Sequence, residues 1–220
     1  MPVLENLPDP EVWYVSYGSN MCAARLAAYL EGGAPPGAHH EYAGAHDTRP
    51  PRESVAVDLP GRIYFAGLSR TWGGGVAFYD HTVPGPTPAR AYRIGVSQFA
   101  DVAAQEMHRV PDPQDPLREV LVAGLDDGLP DGRHAAGPGH YETLVEVGRR
   151  DGLPMLTFTA PHGLDAVPHT VPTGAYLTML AEGLRESRGW DDERVEEYFA
   201  LVDTVGWGSA AQRVAQRSSR

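Results

Sequence analysis

Two short stretches combine residue types and a spacing that have a chemical use. The first is Tyr17-Gly18-Ser19-Asn20-Met21. A β-branched and aromatic run at 12–17 (VWYVSY) ends there in a glycine turn, and a helix-like pattern follows. A strand–turn–helix junction aims free backbone N–H groups at one point, which suits a carboxylate or an oxyanion. Glycine allows a close approach to the backbone, and Ser19 or Asn20 has the side chain to cap the helix. The same residues would also make an ordinary capped turn with no ligand.

The second is Glu106. In the run SQFADVAAQEM, Phe99, Val102 and Ala103 form an apolar stripe, and Glu106 follows them at i+7, i+4 and i+3. It therefore extends the stripe, with Asp101 and Gln105 on the other side. A carboxylate on an apolar face costs several kcal/mol unless it is protonated or partnered. Burial would raise its pKa towards neutrality, as a general acid/base requires. The competing reading is a frayed helix end that lets Glu106 reach solvent.

Other stretches carry weaker signals. His39, His40 and His46-Asp47 lie in one Gly/Pro-rich segment, and His134 and His140 in another. No His pair at i, i+4 sits on a convincing helix, so HExxH is absent and no metal site is expected. Trp72-Gly73-Gly74-Gly75 reads as a hairpin turn before it reads as a ligand cradle. Arg149-Arg150-Asp151-Gly152 reads as a turn between strands. Glu182, Arg185, Glu186 and Asp191 read as solvated helix faces.

These residues need elements to position them. The pattern predicts strands at 12–17, 62–68, 76–80, 89–96, 118–123, 141–147 and 155–159. Helices are predicted at 21–31, at 97–108 with Ser97 as N-cap, near 173–187 and at 191–203. On the first helix Cys22, Leu26, Tyr29 and Leu30 share a face, and Gly32-Gly33 stops it. Segment 33–60 reads as irregular. Strands mostly follow one another, which predicts an α+β fold: a mixed β-sheet or small β-barrel surrounded by helices. One domain is expected over 1–220, with a core at about 12–204 and a flexible tail at 205–220.

Composition narrows the chemistry. All 18 basic residues are arginine, and there is one cysteine. A chain without lysine forms no Schiff base and carries no phosphate-loop lysine. One cysteine makes no intrachain disulfide and no cysteine-cage zinc site. The 25 glycines and 20 prolines predict many turns. No apolar run approaches the roughly 20 residues of a bilayer span. The start, MPVLENLPDPEVWYV, lacks a basic n-region, so the expected location is cytoplasmic. The net charge of −11 argues against nucleic-acid and anionic-membrane partners, though not against a polyamine.

Taken in order, these pieces resemble the gamma-glutamylcyclotransferase-like family. The landmarks are Tyr17-Gly18-Ser19-Asn20-Met21, then Phe65-Ala66-Gly67-Leu68 with Trp72-Gly73-Gly74-Gly75-Val76-Ala77, then the stretch from Ala91-Tyr92-Arg93-Ile94 through Gln105-Glu106. Pro172-Thr173-Gly174-Ala175-Tyr176, a helix bearing Gly183 and a final helix through Tyr198 complete the series. Three positions depart from the family pattern. Met107 stands where a glycine usually follows the glutamate, Ala89 where a glycine is frequent, and Phe158 where a late strand often offers a tyrosine. Segments 33–60 and 124–140 look longer than in compact members.

The resemblance implies a gamma-glutamyl small molecule as substrate. Its own α-amine attacks the γ-carbonyl, giving 5-oxoproline and a free amine. Glu106 would be the general acid/base, and Tyr17, Gly18, Ser19, Asn20 and Met21 would line the substrate site. No cofactor or metal is needed for such a reaction, and some members of the family dimerise. Two other readings stand beside it: a non-catalytic ligand binder of the same fold, and an amidohydrolase with Ser19 as nucleophile. The last requires a histidine within reach of Ser19.

Overall fold

The computed structural model describes residues 9–34 and 41–202. In chain order its elements are β1 (Glu11–Ser16), α1 (Ala23–Glu31), β2 (Glu53–Pro60), β3 (Arg62–Ala66), β4 (Val76–Asp80), β5 (Pro86–Gly95) and α2 (Val96–Glu106). Then follow α3 (Leu117–Asp127), β6 (Arg133–Ala135), β7 (Thr143–Arg150), β8 (Leu153–Thr159), α4 (Gly174–Arg188) and α5 (Asp192–Val202). The expected tail at 205–220 and the pair His39 and His40 lie outside the described residues.

Six strands form one mixed sheet in the order β2-β5-β1-β8-β7-β6, and β3 and β4 pair as a separate ribbon. The sheet is open, not a barrel. β1 lies antiparallel to β5 and parallel to β8. It is buried on both faces, so its sequence is nearly all apolar instead of alternating. Val12 and Tyr14 pack on one side with α1, α2 and α3 residues such as Leu26, Phe99 and Leu121. Trp13, Val15 and Tyr17 pack on the other with Leu177, Leu180 and Phe199 of α4 and α5. Each such side chain contributes roughly 1.5–3 kcal/mol by leaving water.

Several local expectations are corrected. Residues 118–123 are helical, within α3, because Leu117, Leu121 and Gly124 recur at helical spacing and turn inward. Residues 53–60, expected to be irregular, form strand β2 along β5, with Val55, Val57 and Leu59 at alternate positions. Ser97 does not cap α2. The helix begins a residue earlier at the Gly95 cap, where Gln98 accepts from the Gly95 amide at 3.0 Å and Asp9 accepts from the Ser97 amide at 3.1 Å. Glu186 is not merely solvated, since it accepts from the first amide of α1, Ala23, at 3.0 Å.

The polar side of α2 is also buried. Asp101 accepts from Arg118 of α3 at 2.7 Å and from the His46 amide at 2.8 Å. Gln105 donates to the Tyr29 carbonyl at 2.9 Å and accepts from the Gly44 amide at 3.1 Å. Charge and amide groups survive burial here because each is partnered. These bonds clamp α2 to α1 and α3 and fix where its last residue, Glu106, points. No helix among the described residues is long and apolar enough to cross a membrane.

Candidate active site

The parallel strands β1 and β8 deliver their carboxyl ends to one place. Tyr17, just past β1, donates from its hydroxyl to the Phe158 carbonyl of β8 at 2.9 Å. The chain then makes a single helical turn, Ser19–Met21, before α1. Neither Ser19 nor Asn20 caps α1, whose N-cap is Cys22. The turn is tied from behind by its carbonyls. Tyr92 donates to the Asn20 and Met21 carbonyls at 2.8 and 3.0 Å, and Arg90 to that of Met21 at 3.0 Å. The amides of Gly18, Ser19 and Asn20 have no acceptor among the described residues. Gly18 has an ordinary negative φ of −111°. What its missing side chain provides is space beside the Tyr176 hydroxyl, where a Cβ would sit 3.5 Å away.

Two cavities meet at this turn. The outer one encloses about 250 Å³, slightly under the usual range of small-molecule sites. The inner one encloses about 30 Å³ and is lined by Tyr17, Gly18, Ser19 and Asn20. Both share Ser19, Glu106, Tyr141 and Tyr176, so Glu106 stands where they join. Met21 lines neither cavity. It is buried beneath α4, where a Cβ on Gly183 would come within 2.6 Å of its own.

Glu106 closes α2 but does not fray into solvent. Its carboxyl is surrounded by protein and lines both cavities, and the residue as a whole is half-buried. Asn20 donates from Nδ2 to Glu106 Oε1 at 2.8 Å and to the Tyr14 hydroxyl at 3.1 Å. Burial pushes the Glu106 pKa up. The nearby Arg25 charge, the Asn20 donor and the Tyr29 hydroxyl pull it back only in part, so it stays above the usual carboxylate value. Burial, and next the Glu106 charge, raise the phenols of Tyr14 and Tyr29, which remain protonated donors.

Several site residues carried no signal in the sequence. Arg25 of α1 is 3% exposed, yet no carboxylate among the described residues bonds to it. Its Nη2 donates to Tyr42 at 2.6 Å and to Tyr29 at 3.2 Å. Tyr141 supplies a phenol against the Phe158 ring, donating to the Ala77 carbonyl at 2.9 Å. Trp72 does lie in the β3–β4 connection, and it also walls the outer cavity beside Tyr176. Among the described residues no histidine bonds to Ser19. Among the described residues no group of three His, Cys, Asp or Glu side chains is placed to hold a metal.

This arrangement can be compared with known proteins. No family model matches the chain. Over 206 residues, 88% of its length, it is 33% identical to a protein of Arabidopsis thaliana named histone deacetylase 5. The match spans 31% of that longer protein. Among solved structures, one of a gamma-glutamyl cyclotransferase aligns with a TM-score of 0.50 at 14% identity, covering 94% of this chain and 99% of the other. The chain has the gamma-glutamyl cyclotransferase fold. A crystal structure of an uncharacterised Homo sapiens protein aligns with a TM-score of 0.49 at 16% identity, covering 86% of this chain and 87% of that one.

Segments 33–60 and 124–140 contribute unequally to the site. The first supplies Tyr42 and the edge strand β2. The second runs through the end of α3 and β6 to Gly139 and His140 at the cavity mouth.

Proposed function

We propose that this chain is a cyclotransferase that releases 5-oxoproline and a free amine from a gamma-glutamyl amide, with Glu106 as its general acid/base. The observation that carries the reading is Glu106 itself, a carboxyl with a raised pKa, held by Asn20 where two cavities meet the Gly18–Asn20 amides. A serine hydrolase reading needs a histidine at Ser19, and none among the described residues bonds to it.

The substrate brings the nucleophile. Its α-ammonium gives a proton to the Glu106 carboxylate, and the freed amine attacks the γ-carbonyl carbon to close a five-membered ring. The carbonyl oxygen becomes an oxyanion, which the amides of Gly18, Ser19 and Asn20 are placed to receive. Glu106 then protonates the leaving nitrogen and the amide C–N bond breaks. In all, two protons leave the attacking nitrogen and two arrive on the leaving one, and a single carboxylate passes them in turn. No water is consumed. General acid/base transfer of this kind contributes roughly 10²–10⁴-fold.

A raised pKa serves both directions of transfer better than that of an exposed carboxylate, which is a weak base near neutral pH. The outer cavity is the place for the amine half. The test is release of 5-oxoproline from a panel of gamma-glutamyl amino acids, peptides and amines.

A further inference from the structure

Arg25 is the feature this mechanism leaves unused. Its guanidinium is caged by three aromatic rings, with centroids at 5.2 Å for Tyr29, 5.0 Å for Tyr42 and 5.4 Å for Trp72. Nη2 is spent on the two phenols, while Nε and Nη1 are buried with no hydrogen-bond partner among the described residues. A buried charge without a counter-ion costs several kcal/mol, so something must offset it. The rings and phenol oxygens supply part of this. The opposite charge that acts on Arg25 is Glu106, on the wall of the same cavity, and no ion pair joins the two.

The geometry points to Arg25 as a positioning residue: a fixed positive pole that acts across the cavity and through Tyr29 to keep Glu106 in its proton-accepting form. This rests on Glu106 being the proton carrier. A direct salt bridge would hold Glu106 too firmly charged to return its proton. A charge set back behind Tyr29 biases it without capturing it. Tyr29 is well suited to the middle place. Its hydroxyl accepts from Arg25 and is one of the groups that favour the charged form of Glu106, and its carbonyl accepts from Gln105, the neighbour of Glu106.

The other groups facing Glu106 do not duplicate this role. Tyr14 from β1, Tyr141 and Tyr176 from α4 have pKa values raised first by burial, and they stay neutral. Arg70, His108 and His140 lie on the exposed rim of the outer cavity, where solvent screens them.

The test is the pH profile of kcat/KM for Arg25→Gln and Arg25→Lys beside the wild type, with Glu106 followed by carboxyl-carbon NMR. Without the positive pole Glu106 binds its proton more tightly. The acid limb of Arg25→Gln should therefore move to higher pH, with activity on the order of tenfold lower at neutral pH and recovered in alkali. Arg25→Lys should keep the limb near its wild-type place. If Arg25→Gln fails to fold, Tyr29→Phe removes the intervening hydroxyl and should move the limb in the same direction. An unmoved limb and an unmoved NMR titration overturn the proposal, and with a raised KM they assign Arg25 to ligand contact instead. Undiminished turnover in Glu106→Gln would overturn the parent reading separately.

Discussion

Asn20 donates to Glu106 across 86 residues of sequence, at 2.8 Å, and joins the glycine turn to the end of α2. The bond sets both the direction and the charge of the carboxyl. Asn20→Ala removes a donor to a buried charged group, worth about 1.5–3 kcal/mol, and should lower kcat by roughly 10- to 100-fold. Asn20→Asp places a second carboxylate against the first, and the two cannot both ionise. Its acid limb should move to higher pH. A pH–rate profile for both variants checks this, and unchanged profiles would remove Asn20 from the machinery.

Ser19 offers a sharper contrast. If its amide serves and its hydroxyl does not, Ser19→Ala should cost less than about tenfold. A nucleophilic serine would lose roughly 10⁶-fold. Single-turnover rates for Ser19→Ala separate the two.

Gly183 supports the site from outside it. A methyl there would meet the Met21 Cβ at 2.6 Å and the Cys22 amide nitrogen at 2.9 Å, both on the far side of the turn. Gly183→Ala should push α4 off the turn, at a cost of about 1–3 kcal/mol. Both the melting temperature and kcat should fall, although the residue lines neither cavity. Thermal melts with steady-state kinetics report the coupling.

The raised pKa of Glu106 also predicts a pH dependence of stability. A group whose folded pKa lies above its unfolded one imposes no penalty below the unfolded value and an increasing one as pH rises through the folded value. Glu106→Gln, which can still accept from Asn20, should therefore melt higher than the wild type at neutral pH. The difference should vanish in acid. Melts across pH test this, and a lower melting point for the variant at neutral pH would contradict it.

Much of the site was legible because its signals are local. The aromatic and β-branched run into Tyr17, the glycine at 18 and the spacing from Phe99 to Glu106 each lie within one element. Arg25 was illegible because its meaning comes from Tyr42 and Trp72, which arrive from an irregular segment and a strand connection. Tyr141 was missed for the same reason. Its phenol stands against Phe158 by tertiary packing. Residues 118–123 misled because Val120 and Val122 favour a strand, yet the inward spacing of Leu117 and Leu121 is helical and Val122 is 49% exposed. β2 was hidden because its alternation of Val55, Val57 and Leu59 follows a proline-rich stretch that reads as loop.

The most direct measurement of the central claim is 5-oxoproline release from gamma-glutamyl substrates by the wild-type chain and by Glu106→Gln. The wild type should give stoichiometric 5-oxoproline and free amine. The folded Glu106→Gln variant should lose at least 100-fold, taking roughly 10²–10⁴-fold for acid/base transfer. Free glutamate in place of 5-oxoproline, or a Glu106→Gln variant as active as the wild type, would contradict it.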